Sequence, residues 1–89
     1  MSRQFDDAQL GDMELFVLAA DAASFTAAAE RTGMTPSAVS RSVARLEARL
    51  GVRLFMRTTR QIRLSDAGRM YLAQCRLTLS QLSEVERQL

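Results

Sequence analysis

Thr35-Pro36-Ser37-Ala38-Val39-Ser40-Arg41-Ser42-Val43-Ala44-Arg45-Leu46-Glu47-Ala48-Arg49-Leu50 is the stretch whose reading decides the fold. It opens with a helix start signal. Thr35 can cap the free amides, and Pro36 occupies the first helical position, where a missing N–H costs nothing. Gly51 follows as the stop. At about 100° per residue, Val39, Val43, Leu46 and Leu50 share one side and form the buried stripe of an amphipathic helix. Ser37 and Arg41 point the other way, with Ser40, Arg45 and Arg49 on the flanks.

Working outward, the charge around this helix is uneven. The chain has 89 residues and a formal net charge of only +2. Its first 35 residues are acidic, whereas residues 36–63 carry seven arginines against the single acid Glu47, a net +6. All 12 basic residues are arginine, the side chain suited to bidentate contacts with guanine and phosphate. A helix that presents hydroxyls and arginines, within a basic centre, is suited to a polyanion with a readable edge, and duplex DNA is the obvious candidate.

Composition narrows the class. A chain of this length makes one small domain that buries roughly 60–65% of its unfolded surface, so a partner subunit would help it. Hydrophobic residues are 47% and charged residues 25%, as in ordinary globular proteins. With one Pro and four Gly there is little loop material, and the fold is expected to be mainly helical. No apolar run reaches the length of about 18 to 20 that spans a bilayer, and the N-terminus is too acidic for a signal peptide, so a cytoplasmic location is expected. Cys75 is the only cysteine, which rules out an internal disulfide and agrees with a reducing compartment.

Before the organising helix, residues 1–9 show no periodicity and read as a leader. Leu10, Met13, Phe16, Val17 and Ala20 then follow helical spacing to Ala23, with Leu15 and Leu18 forming a second apolar strip. Such a helix packs against two things, its own core and a neighbouring helix or subunit. Phe25 reads as a core anchor, Thr26 as the N-cap of a short helix through Arg31, and Thr32-Gly33-Met34 as a turn. Ala29, Gly33 and Val39 have the spacing of a helix-turn-helix: a small residue at the crossing, a turn residue tolerant of positive φ, and an apolar residue early in the second helix.

After Gly51, Val52–Arg57 and Gln61–Leu64 read as two short strands joined by Thr58-Thr59-Arg60, a wing with a polar tip. Ser65 is a fitting N-cap for a last helix, and Gly68 inside it, at a cost of about 1 kcal/mol relative to Ala, implies close packing there. That helix extends to Leu89, about 37 Å, too long to lie wholly on so small a domain. Tyr71, Cys75, Thr78, Leu82, Val85 and Leu89 repeat at four-three-four-three-four, and Leu72, Leu77 and Leu79 widen the face. A second chain covering this seam implies a homodimer through Tyr71, Cys75, Leu79, Leu82, Val85 and Leu89.

With these residues in view, the chain resembles the N-terminal DNA-binding domain of LysR-type transcriptional regulators, from about Leu10 to Leu89. The resemblance rests on Ser24-Phe25-Thr26-Ala27-Ala28-Ala29, Pro36-Ser37-Ala38-Val39-Ser40-Arg41, Leu46-Glu47 followed by Leu50-Gly51, Leu54-Phe55 with Arg57 and Arg60, and Leu64-Ser65 with Ala67-Gly68. Thr35-Pro36-Ser37 stands where many members have Ser-Gln-Pro. The family implies a winged helix-turn-helix over residues 10–64, three helices plus a two-stranded wing, followed by a linker and dimerisation helix over 65–89. It further implies the helix from Pro36 in the major groove, Arg60 in the minor groove, and Thr26, Arg57 and Thr58 near phosphates. Members normally continue into a two-lobed effector-binding domain. This sequence therefore looks like the DNA-binding portion of a longer protein, with any small-molecule effector acting through a C-terminal domain absent here.

The expected DNA-binding residues are thus Thr26, Thr35, Pro36, Ser37, Ser40, Arg41, Arg45, Arg57, Thr58 and Arg60. Arg45, Arg49 and Arg63 serve equally well as a solvated surface. Glu47 reads as a structural ion-pair partner, and Met13 and Met34 as gap-filling core. There is no His, no phosphate-binding Gly loop and no pair of acids placed for acid–base work, so no catalytic residue, metal or cofactor is expected. A winged-helix or coiled-coil module that binds only protein is the other reading, and it gives no reason for the +6 of the central segment.

Overall fold

A computed structural model describes the backbone of residues 7–57 and 61–89, and the side chains within those ranges from residue 11 onward. The order is α1 (Asp7–Ala22), α2 (Phe25–Thr32), α3 (Pro36–Leu50), β1 (Phe55–Arg57), β2 (Ile62–Leu64) and α4 (Asp66–Gln88). The fold is a winged helix followed by a long helix, as expected. Of the predicted leader, residues 7–9 already belong to α1. Among the described residues, no helix is long and apolar enough to cross a membrane.

Local chemistry sets each boundary. The Ser24 hydroxyl, not that of Thr26, caps α2 by accepting from the Ala27 amide at 3.1 Å. Serine is the stronger cap of the two, and the helix starts two residues earlier than predicted. Thr35 caps α3 by accepting from the Ala38 amide at 3.1 Å, with Pro36 at the first helical position. Ser65 caps α4 by accepting from Gly68 at 2.9 Å. Both α2 and α3 end on glycines in the left-handed region, Gly33 at φ 72° and Gly51 at φ 74°. In each, the next amide turns back to the helix: Met34 to the Ala29 carbonyl and Val52 to the Glu47 carbonyl. α1 ends the same way on Ala23 at φ 55°, where the Ser24 amide reaches the Ala19 carbonyl.

Phe16 and Ala19 of α1, Ala28 and Ala29 of α2, Val39, Val43 and Leu46 of α3, Leu54, Phe55, and Leu72 and Cys75 of α4 form one buried core. Phe16 is its hub, with ring centroids 5.3 Å from Phe55 and 5.6 Å from Tyr71. α1 packs on α2, α3 and α4. The neighbours that half-bury Leu15 and Leu18 therefore come from this chain. Leu50, predicted in the stripe, is instead about one-third exposed, because the helix stops there and opens onto a shallow groove with Val52 and Met70. Met13 packs against the core as expected, but Met34 is exposed in the turn after α2.

The wing pairs Phe55 with Leu64, Met56 with Arg63 and Arg57 with Ile62, antiparallel. β1 starts three residues later than predicted because the chain before it is engaged elsewhere. The Leu54 carbonyl accepts from Ser65 N at 2.9 Å, and the Arg53 carbonyl accepts from the Ser65 hydroxyl at 2.6 Å. Gly68 sits against this junction: a Cβ there would lie 2.1 Å from the Leu54 carbonyl oxygen. The close approach inferred from a mid-helix glycine is thus real.

One residue of the predicted dimer seam is corrected: Cys75 is 1% exposed inside this chain's own core. Tyr71 is half-buried, its ring tilted against Phe16. α4 begins by lying across α1, tied there by the Arg76–Asp21 ion pair, so the first part of the stripe serves the monomer. Leu79 is half-buried, and Leu82, Val85 and Leu89 are exposed.

Candidate nucleic-acid interface

The outer side of α3 is the basic surface that its sequence pattern implies. Thr35, Pro36, Ser37, Arg41, Ala44, Arg45, Ala48 and Arg49 are exposed, and Ser40 is half-buried. Between the arginines the exposed side chains are the alanines Ala44 and Ala48, short enough to let the helix backbone approach a groove floor. Val39, Ser42, Val43 and Leu46 are buried behind this face, so the helix cannot turn without uncovering its core side. The Thr35 hydroxyl oxygen accepts in the cap, which leaves its O–H to donate outward.

Two acids anchor α3, and only one was legible beforehand. Glu47 is the structural partner expected. Its Oε2 accepts from the Leu54 amide at 2.8 Å and the Phe55 amide at 3.2 Å, and its Oε1 lies 3.7 Å from Arg57 Nη2. Arg57 is held on its other side by the Phe25 ring, 5.2 Å below the guanidinium carbon. Arg57 therefore stands beside Phe25 at the start of α2, with its side chain 37% exposed.

The second acid, Asp12, escaped the sequence reading. It is 6% exposed, and its Oδ1 accepts from the buried Ser42 hydroxyl at 2.5 Å and from Arg45 Nη2 at 3.1 Å. Two signals could have found it. Asp12 lies four residues before Phe16 on the buried face of α1, and Ser42 sits three after Val39 and four before Leu46, within the apolar stripe.

At the far end of α3, Arg49 lies near Tyr71, whose hydroxyl is pushed up from its ordinary pKa mainly by burial. Burial likewise pushes the Cys75 thiol up, which keeps it protonated and unreactive. Thr58 and Arg60 of the predicted wing tip lie outside the described residues.

A basic helix exposed beside a two-stranded wing defines the winged helix-turn-helix class. The family profile described as "Bacterial regulatory helix-turn-helix protein, lysR family" matches residues 10–69, and the chain belongs to that family. A transcriptional repressor of Pseudomonas aeruginosa, PA14_22550, is 44% identical over 78 residues, 88% of this chain and 25% of that protein. The chain spans about a fifth to a quarter of the length of such relatives. Among solved structures, a CbnR_DBD–DNA complex superposes with a TM-score of 0.82 at 31% identity, covering 88% of this chain and 90% of that one. A BenM_DBD/benA site 1 DNA complex gives 0.84 at 25% identity, covering 89% of each chain.

Proposed function

We propose that this chain is the sequence-specific DNA-reading portion of a transcription regulator, acting as a homodimer in the cytoplasm and carrying no chemistry of its own. The observation that supports this best is the outer face of α3, where Ser37, Ser40 and Arg41 stand exposed or half-exposed on a helix fixed from behind by Asp12 and Glu47. In this reading residues 10–64 are the reading unit. α3 lies in the major groove from Pro36, Arg41 reads a base edge, and Thr35 with Ser37 and Ser40 lines the groove. Thr26 and Arg57 meet the phosphate backbone. Thr58 and Arg60 carry the phosphate and minor-groove roles that the family resemblance assigns to the wing. Residues 65–89 dimerise through Leu79, Leu82, Val85 and Leu89, the part of the seam that the chain's own core leaves open. Response to a small-molecule effector belongs to a C-terminal domain outside these residues.

Duplex titrations of variants test this reading. Arg41→Ala costs about 1–3 kcal/mol on the preferred sequence and relaxes discrimination at one position, while Arg57→Ala weakens all sequences alike. Unchanged affinity in Arg41→Ala would show that another face of α3 meets DNA. Salt separates the protein-binding alternative: log affinity for DNA falls with log salt by about 0.9 per phosphate contact, whereas an apolar protein interface barely responds.

A further inference from the structure

Arg41, Arg45 and Arg49 follow at four-residue intervals, so their like charges share one strip of α3. The structure treats the three differently. Arg41 has no hydrogen-bond or ion-pair partner among the described residues, and Arg49 lies near Tyr71 at the end of the helix. Arg45, although its side chain is 60% exposed, is bonded at 3.1 Å to an acid buried beneath the helix. An acid is an expensive way to dock two helices, since an apolar pair of similar volume would pack α1 on α3 at least as well. Ser42 alone gives that acid one donor from a fully buried position. What the acid adds is a hold on Arg45. A guanidinium beside a carboxylate already has its charge largely balanced, so the pair releases fewer counterions on meeting a phosphate than a free arginine does.

Resting on the DNA-binding reading above, we propose that Asp12 is a positioning residue that sets specificity. Its buried carboxylate holds Arg45 back from the phosphate backbone, so that α3 reads with Arg41 and its hydroxyls and gains less sequence-independent affinity than its arginine row would otherwise give. Asp12 touches no DNA in this account; it acts through Arg45.

The test is a double-mutant cycle read as salt dependence. The chain, Asp12→Asn, Arg45→Gln and the double variant are titrated onto a mixed-sequence duplex between about 50 and 200 mM salt. Asp12→Asn is expected to steepen the log–log slope by about 0.9 per bound chain, an additional loss of about threefold over that range. Arg45→Gln is expected to remove about 0.9 from the slope in the Asp12→Asn background, and less than half of that with Asp12 present. An acid that merely docked α1 on α3 would change stability without this coupling. Equal effects of Arg45→Gln in both backgrounds would overturn the proposal while leaving DNA binding intact. Should Asp12→Asn fail to fold by circular dichroism, Arg45→Gln alone decides: a loss of the full 0.9 with Asp12 present overturns the proposal, and a loss under half of it upholds it. Absence of binding by the unaltered chain at low salt would remove both readings.

Discussion

Replacing Glu47 by alanine tests the mechanical connection between the recognition helix and the wing. Glu47 Oε2 accepts from two amides, those of Leu54 and Phe55, and both residues are 1% exposed. Without the carboxylate these donors have no acceptor in reach and little access to water. A buried donor left unpaired costs about 1–3 kcal/mol, so Glu47→Ala should lose about 2–6 kcal/mol. A domain of this size has about 4–13 kcal/mol in total, so the loss is a large share of it. Glu47→Gln keeps an acceptor oxygen but not the charge, and should fall between at about 1–3 kcal/mol. Arg57→Ala removes a partly exposed ion pair and should cost under about 1 kcal/mol. Urea unfolding followed by far-ultraviolet circular dichroism reads all three. With a slope of about 1–3 kcal/mol per molar, the alanine variant's midpoint should fall by about 1 M or more. A Glu47→Ala loss within about 0.5 kcal/mol, the range of ordinary surface changes, would refute the reasoning.

Other expectations are as specific. Ala23→Gly should stabilise the chain by about 0.5–1 kcal/mol by relieving a left-handed alanine, whereas Gly33→Ala or Gly51→Ala should cost about 1–2 kcal/mol, all by thermal or urea melts. Gly68→Ala should destabilise by about 1–3 kcal/mol in the same assay, the clash with the Leu54 carbonyl outweighing the better helix propensity of alanine. Because burial raises the Cys75 pKa, the unfolded chain loses this proton first, so stability should decline as pH climbs from about 8.5 toward the folded value. Cys75→Ala should flatten that decline in urea midpoints measured against pH. Leu82→Asp should shift sedimentation from dimer to monomer while leaving the helical signal intact; a variant that stays dimeric would remove α4 from the account of assembly.

Much of this molecule was legible because its signals are local. Thr35-Pro36 and Gly51 delimit α3, Val39, Val43 and Leu46 face the core, Ser65 caps α4, and Gly68 marks a close approach. What escaped depends on which element lies on which. Ser42 has no stated role in the sequence until α1 is seen to place Asp12 against it. Cys75 fits a dimer seam by spacing alone, but α4 packs on α1 and uses it for the monomer's own core. The cap of α2 was read as Thr26 and is Ser24, two residues earlier, because periodicity in a short alanine-rich helix does not fix where it starts. The extent of β1 was set by Ser65, which donates to the Arg53 and Leu54 carbonyls, and by Glu47, which accepts from the Leu54 and Phe55 amides, residues distant in sequence from the strand's start.

The central claim is that this fold presents α3 to read DNA as a dimer. Its most direct test retains random duplexes on the chain at two salt concentrations, then sequences what is held. The account predicts enrichment of a dyad-symmetric motif, with retention that weakens steeply as salt rises. Failure to retain any duplex at low salt, or retention with no enriched motif, would contradict it.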